Sequence, residues 1–406
     1  MKQNNELLTR RVEKILPGRE GLKKLISERK IRLYLGIDPT GFQLHIGHGV
    51  VLKKIQEFID AGHEVIFLVG SFTGKIGDPS DREAERISLT DDQIEKNMAD
   101  YRSQAGKIVD FSRANFVYNG DWLSKLTFED VVKLASNFTV QQLIERDMFQ
   151  KRLKAGKPIH LHEFLYPLMQ GYDSVHLEVD LEIGGKDQLF NMMAGRTLLK
   201  ALKNKDKFVL TTPLLIGTNG QKMSKSVGNC IWLNDSAEDM FGKLMSVPDE
   251  QIIPYMELVS DIPLMRIAQV KTEIAAGKLH PMDAKKELSF DVVSQFHGKN
   301  QAESAKINFE KTVQAGETPA EIPTFNLSSL PENATIIDLL EKSKTISSRG
   351  EGKRLIDQKA VSVNQLPITN FSGNGGSRSA GQFPISELKS GDIIKIGKRN
   401  WIKLID

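Results

Sequence analysis

The sequence predicts an α/β chain in which a parallel-sheet, nucleotide-binding region is followed by an all-α region and a small α+β module. Three observations carry that expectation. Ile31, Leu33, Leu35 and Ile37 alternate with Arg32, Tyr34 and Gly36, the period of two that marks a strand, and Asp38-Pro39-Thr40-Gly41 supplies turn chemistry at its end. Val51, Ile55 and Ile59 then recur four apart, which predicts a helix from near Leu44 to about Asp60, with Gly62 placed to stop it. Val65 to Val69 is a continuous apolar run of strand length, as expected where both faces of a parallel strand are buried. Strand, helix and strand at this spacing form a mononucleotide-binding half, whose ligands sit beyond the carboxyl ends of the strands.

Bulk properties narrow the class. With 406 residues and 40% hydrophobic content, the chain has room for two or three domains with real cores. Its longest apolar run is far too short to span a bilayer, and Met1 to Glu6 lacks the apolar stretch of a signal peptide. A cytoplasmic protein without a membrane partner is expected. Cys230 is the single cysteine, so neither a disulfide framework nor a cysteine-rich zinc site can be built, and a small buried thiol is its expected role. Charge is uneven. From Lys342 to Asp406 there are 12 Lys/Arg and 5 Asp/Glu, a balance of +7 that leaves −4 for the rest of a chain of net charge +3. A basic terminal module on a slightly acidic body points to a polyanionic partner at that end, against the plainer reading of a solvated surface.

Taken in order, residues 1 to 30 read as helical: Leu7, Leu8, Val12 and Ile15 form an apolar stripe, Pro17-Gly18 interrupts, and Leu22 to Ile26 resume. His45 and His48 then stand three apart in the first turn of the next helix, where unpaired backbone N–H groups favour an anion, and Gly47 leaves room for a flat ring. After the second strand, Ser71 to Ser80 puts Asp78 at the mouth of the site, and Arg82 and Arg86, four apart, reach toward phosphate. Helix capping by Asp78 and ion pairing of the arginines with Glu83 or Glu85 are the plainer roles. A third short strand, Phe116-Val117, leads to Tyr118-Asn119-Gly120-Asp121-Trp122. Thr127 to Asp130 has a capping-box pattern, and Thr139 to about Lys154 reads as one further helix.

Between His162 and His176, Tyr166, Gln170 and Asp173 fall at i, i+4 and i+7, so three polar groups line one helix face while Leu165, Leu168, Met169 and Val175 pack elsewhere. Ile183-Gly184-Gly185-Lys186-Asp187-Gln188 follows, a strand end that presents side chains to the same crevice. Lys222-Met223-Ser224-Lys225-Ser226 lies beyond the Gly/Asn-rich Gly217 to Gln221 and reads as a loop delivering two ammonium groups. Residues 234 to 314 carry helical stripes such as Ile267, Val270 and Ile274, and Ala315 to Asn333, with Pro319, Pro323 and Pro331, reads as a linker. Short helices are expected from Thr335 and from Gly352, then a strand and turn over Val361 to Gln365 and a glycine-rich loop over Ser372 to Gln382.

The strings His45-Ile46-Gly47-His48 and Lys222-Met223-Ser224-Lys225-Ser226, in this order, resemble the HIGH and KMSKS signatures of class I aminoacyl-tRNA synthetases. The flanking residues resemble the tyrosyl family, in its second bacterial subgroup. The resemblance covers nearly the whole chain and implies a Rossmann-like catalytic domain over 1–233 with a dimer-interface insertion at about 119–160. It further implies a helical anticodon-side domain over 234–314, marked by His280 to Lys285 and His297-Gly298, a linker over 315–333 and an S4-like RNA-binding domain over 334–406. Gln365 departs from the S4 pattern, where a turn glycine is usual. Val140, Leu143, Ile144 and Met148 fit the interface of the implied homodimer and the chain's own core equally well.

What the resemblance implies about roles is specific. ATP would be held by Gly36, Asp38, Thr40, His45, Gly47, His48, Gly185, Asp187, Lys222, Met223, Ser224, Lys225 and Ser226. Thr40 and His45 serve the γ-phosphate end, His48 and Gly47 the ribose and adenine, and Lys222 and Lys225, helped by Arg82 and Arg86, close over the departing pyrophosphate. Tyr34 and Asp173 read the phenol of tyrosine. Asp78, Tyr166 and Gln170 hold its ammonium, Gln188 lies near the reacting carboxylate, and Asn119 completes the pocket. Leu35 and Val51 stand where the better-known tyrosyl pattern has polar residues, which implies fewer hydrogen bonds to the ribose. Mg²⁺ is expected to accompany ATP without a carboxylate cage of its own, and no zinc site is expected. Lys342, Lys344, Arg349, Lys353, Arg354 and Lys359 are the expected contacts to tRNA(Tyr). The rivals are a tryptophanyl enzyme, a silent RNA-binding paralogue and a small nucleotidyltransferase. Tyr34 with Asp173, the intact signature residues and the basic tail weigh against each in turn.

Overall fold

The computed structural model describes residues 6–39, 43–79, 89–224, 227–314, 322–331, 333–346, 348–368, 371–373, 376–378, 383–397 and 400–406. They form two compact units, Met1–Ala302 and Glu303–Asp406.

The first unit is built on a six-stranded sheet of β1 (Lys14–Leu16), β2 (Arg32–Ile37), β3 (Glu64–Val69), β4 (Asn115–Tyr118), β5 (Leu181–Gly185) and β6 (Phe208–Thr212), in the order β1-β6-β5-β2-β3-β4. All neighbours are parallel except β1, which runs antiparallel to β6. The chain moves outward from β2 through β3 to β4, then returns to place β5 on the other side of β2, so the order reverses between β2 and β5. A crevice opens at such a point, beyond the carboxyl ends of the strands. The Val65–Val69 run behaves as its composition demands: all five side chains are buried, each contributing about 1.5–3 kcal/mol of apolar burial.

Three early expectations for this unit need correction. Residues 1 to 30 are not helical throughout, because Lys14–Leu16 pairs with Val209–Thr211 and closes the edge of the sheet, leaving Arg19–Glu28 as the helix, with Leu22 and Ile26 inward. Backbone pairing with a distant strand overrode the local stripe. The helix after β2 spans Ile46–Asp60, so His45 is its extended N-cap rather than a first-turn residue. In place of one helix over 139–154 there are two, Val140–Ile144 and Asp147–Lys154, with Arg146 in a non-helical conformation between them. Thr127 does cap Phe128–Ala135 through Asp130, as its pattern required.

Helices Ala237–Met245, Ile252–Leu258, Leu264–Ala275 and Pro281–His297 complete this unit. Buried Arg10 and Arg11 donate to the carbonyls of Met256, Glu257, Leu258 and Ser260, satisfying the carboxyl end of Ile252–Leu258. No helix of the described residues is long and apolar enough to cross a membrane.

In the second unit, strands Thr324–Asn326, Asn400–Ile405, Ile393–Ile396, Val361–Val363 and Leu366–Pro367 lie side by side in that order. Helices Ile336–Lys342 and Arg349–Asp357 join their core through Ile336, Leu339 and Ile356. Thr324–Asn326, read as linker, is thus a strand of the terminal sheet, pairing in parallel with Lys403–Ile405. Asn364 and Gln365 both have positive φ, 49° and 70°, so the turn takes its left-handed form without a glycine. Part of the expected glycine-rich loop is strand as well: Phe371–Gly373 pairs with Gly376–Arg378.

Candidate active site

At the point where the strand order reverses lies a cavity of about 220 Å³. Its walls bring together Tyr34, Gly36 and Asp38 from the end of β2, Thr73 and Asp78 from the segment after β3, Tyr166, Gln170 and Asp173 from the helix Leu161–Leu177, and Glu182 and Gln188 from β5 and its exit. The i, i+4, i+7 face therefore does look into the crevice. It is no solvent face, since Tyr166 and Asp173 are buried.

Asp173 is 1% exposed, and its two oxygens accept from Trp122 Nε1 at 2.8 Å and Asn119 Nδ2 at 3.2 Å. Burial drives its carboxyl well above the usual range against the pull of those two bonds, with Glu182 and Asp38 adding to the rise. Asn119 is itself fixed, accepting from the Phe72 N–H at 2.9 Å and donating to Thr73 Oγ1 at 3.0 Å. Asp38 accepts from Tyr166 at 2.7 Å and from Thr73 Oγ1 at 2.7 Å. Gly70 makes that approach possible: a Cβ there would lie 1.9 Å from Asp38 Oδ1. Asp78 receives Gln188 Nε2 at 2.6 Å. Burial raises the phenols of Tyr34 and Tyr166 well above their ordinary value, so both remain neutral donors near neutral pH. A cavity walled by Asp38, Asp78, Asp173 and Glu182 is built for a cation with a hydrogen-bonding far end.

Nearby are the two histidines and the lysine loop. The rings of His45 and His48 stack, centroids 3.8 Å apart, and the His45 N–H donates to His48 Nδ1 at 3.1 Å. Two N–H groups expected to await an anion are already used, Ile46 on the Ile231 carbonyl and His48 on that of His45. Gly47 is required by close approach, since a Cβ there would lie 2.9 Å from His45 Nδ1 and 3.7 Å from Met223 Sδ. Lys222 reaches Asp187 at 3.6 Å, which ties the loop to the exit of β5 beside Gly185. Asn229 holds the loop from beneath, accepting from the Ser224 N–H at 2.9 Å and donating to the Lys222 carbonyl at 3.1 Å. Thr40, Arg82, Arg86, Lys225 and Ser226 lie outside the described residues.

Sequence reasoning missed Thr73, Ser174, Glu182, Lys207 and Asn229. Of these, only Glu182 left a signal, a carboxylate between two apolar residues of a buried strand. Among the described residues no group of three or more His, Cys, Asp or Glu is placed to hold a metal ion. The six basic residues of the tail are exposed, but Arg349 is engaged by Asp338 at 2.5 Å and Glu341 at 3.1 Å, and Lys342 by the Ser329 carbonyl.

A mostly parallel sheet with an acidic crevice where its order reverses, flanked by a stacked histidine pair and a lysine loop, is the arrangement of a nucleotide-binding α/β enzyme. Residues 26–314 match the family described as tRNA synthetases class I (W and Y), and the chain belongs to it. It is 41% identical to the tyrosine–tRNA ligase of Carboxydothermus hydrogenoformans, covering 100% of this chain and 98% of that one. With the tyrosine–tRNA ligase of Thermotoga maritima identity is 43%, over 98% and 96% of the two chains. Among solved structures, tyrosyl-tRNA synthetase complexed with L-tyrosine from Archaeoglobus fulgidus matches at a TM-score of 0.59 and 25% identity, covering 75% of this chain and 99% of that one.

Proposed function

We propose that this chain activates L-tyrosine with ATP to tyrosyl-adenylate, releasing pyrophosphate, and transfers the tyrosyl group to the 3′-terminal adenosine of tRNA(Tyr). The observation that carries the reading is the buried Asp173, whose lone pairs beyond the bonds from Trp122 and Asn119 suit a phenol hydroxyl, at a cavity whose other walls are carboxylates suited to an ammonium. Tyr34 joins Asp173 at the phenol. Asp78, Tyr166 and Gln170 receive the ammonium, and Gln188 steadies the carboxylate that attacks the α-phosphate.

Little acid–base chemistry is required. The work is alignment of two reactants and positive charge on the leaving group. His45, Gly47 and His48 take the nucleotide with Thr40, Gly36, Asp38, Gly185 and Asp187, while Lys222 and Lys225, with Arg82 and Arg86, meet the charge that develops on pyrophosphate. Mg²⁺ would arrive on the phosphates of ATP and supply further neutralisation there.

The 119–160 segment is proposed as the contact between two copies of the chain. Phe128, Val132, Val140 and Leu153 are exposed by 84%, 53%, 68% and 48%, while Leu143 turns inward at 8%. Residues 234–314 are assigned to the anticodon side and residues 334–406 to the tRNA backbone, through Lys344, Lys353, Arg354 and Lys359 more than through Arg349 or Lys342, which are engaged internally. Such an enzyme works in the cytoplasm. Charging of bulk tRNA with each of the twenty amino acids tests the reading: tyrosine alone should accumulate on tRNA, and accumulation of tryptophan instead would reverse the assignment.

A further inference from the structure

Beneath the cavity runs a set of polar groups that the roles above leave unused. Lys207, just before β6, is 0% exposed, and its ammonium donates to Ser174 Oγ at 2.8 Å and to Glu182. An ammonium is costly to bury, so its partners matter. Glu182, at 1% exposure, uses its other oxygen to accept from Gln170 Nε2 at 2.9 Å. A carboxylate only accepts, so the Gln170 amide must turn its NH₂ toward Glu182 and its oxygen away from it.

Ser174 Oγ lies 3.0 Å from the Tyr34 hydroxyl and 3.4 Å from Glu182 Oε2. Lys207 occupies one serine lone pair, and the serine proton faces two acceptors, the Tyr34 oxygen at 3.0 Å and Glu182 Oε2 at 3.4 Å; the path to Tyr34 takes the shorter contact. Tyr34 is then left with its own proton to give. Its contact with the Gln170 carbonyl is long, 3.5 Å, and a better acceptor would draw the proton away. The packing leaves room for this path: a Cβ at Gly195 would come within 2.4 Å of both Lys207 Nζ and Ser174 Oγ.

We propose that Lys207, Ser174 and Glu182 are positioning residues that set the direction of the hydrogen bonds in the amino-acid pocket. Lys207 donates to Ser174, Ser174 to Tyr34, and Tyr34 to the substrate's phenol oxygen, whose own proton goes to Asp173. Glu182 meanwhile turns the Gln170 oxygen toward the ammonium. The pocket thus selects a group that accepts and donates at once, which phenylalanine lacks. The proposal rests on the tyrosine reading of the cavity.

Calorimetry on the full chain with tyrosine and with phenylalanine tests it, using the wild type, Ser174→Ala, Tyr34→Phe and the double variant. Ser174→Ala leaves Lys207 on Glu182, so no buried charge is stranded. The tyrosine Kd should rise about tenfold, the effect of one neutral hydrogen bond, while the phenylalanine Kd holds. In the Tyr34→Phe background Ser174→Ala should add nothing, because the path runs through that hydroxyl. Equal weakening for both amino acids, or additive effects in the double variant, would overturn the proposal. Lys207→Met with Glu182→Gln, which replaces the ion pair as a unit, should lower the tyrosine preference in the same way, and an unchanged preference would overturn it too. A wild type without preference for tyrosine would remove the pocket reading and this proposal together, whereas a preference that falls in Tyr34→Phe but survives intact in Ser174→Ala and in Lys207→Met with Glu182→Gln removes this proposal alone.

Discussion

Replacing Asp173 by asparagine changes one atom of the pocket and breaks its logic. Both donors facing the carboxylate are fixed: Trp122 Nε1 has only a proton to offer, and the Asn119 amide cannot turn over because its oxygen accepts from the Phe72 N–H. An asparagine at 173 therefore sets its NH₂ against one of them, whichever way it turns. Losing a hydrogen bond to a charged group costs about 1.5–3 kcal/mol, and stranding a buried donor adds about 1–3 kcal/mol to the free protein. Tyrosine binding should weaken roughly 10- to 150-fold from the first term, and the second should appear as a lower Tm. Phenylalanine, with no phenol proton to place, should bind nearly as before. Titration calorimetry with both amino acids, alongside thermal unfolding, reads the two terms separately. An unchanged ratio of tyrosine to phenylalanine affinity would show that Asp173 does not read the hydroxyl, however much stability is lost.

Lys222→Ala should slow adenylate formation by about 3–4 kcal/mol in the barrier while tyrosine binding without ATP is retained, because its ammonium acts on charge that appears during reaction. An equal loss in tyrosine affinity would make it a structural lysine held by Asp187. Removing the terminal sheet with its basic residues requires a cut before Pro323, since Thr324–Asn326 belongs to that sheet; tRNA affinity should then fall and its log–log salt slope shrink by about one unit per lost phosphate contact, with pyrophosphate exchange retained. In that unit, burial pushes the Asp338 carboxyl up, but hydrogen bonds from Thr335 and Arg349 outweigh it and bring it from 3.8 down to about 2. A depressed carboxyl contributes stability above its unfolded value and loses it as pH falls through the folded one, so thermal unfolding should show a loss between about pH 4 and pH 2 that Asp338→Asn removes.

Local pattern explains what was legible. The alternation of Arg32 to Ile37 and the run Val65 to Val69 marked the two strands that carry the site, and the spacing of Tyr166, Gln170 and Asp173 alone placed three pocket residues on one face. What stayed hidden depends on pairing across the chain. Lys14–Leu16 and Thr324–Asn326 are short strands whose partners, Val209–Thr211 and Lys403–Ile405, are remote in sequence, and such segments hold no pattern of their own. Lys207 was invisible for the same reason, and Glu182 showed only its place between Leu181 and Ile183, which does not say what it pairs with. Each reads as an ordinary charged residue until the fold buries it against the other. His45 was read into the helix rather than at its cap because a cap is decided by backbone dihedrals, extended at His45, which periodicity does not encode.

The proposed role of the cavity is to select tyrosine for reaction with ATP, and amino-acid-dependent exchange of pyrophosphate into ATP, measured for each of the twenty amino acids without tRNA, tests that role most directly. Exchange should be driven by tyrosine, with phenylalanine behind by roughly 10⁴ or more, the penalty for leaving a buried carboxylate and phenol without their partner; tyrosyl enzymes are themselves the standard example of this magnitude, which is general to them rather than worked from this cavity. Exchange driven equally by phenylalanine, or better by tryptophan, would contradict the roles assigned to Tyr34 and Asp173.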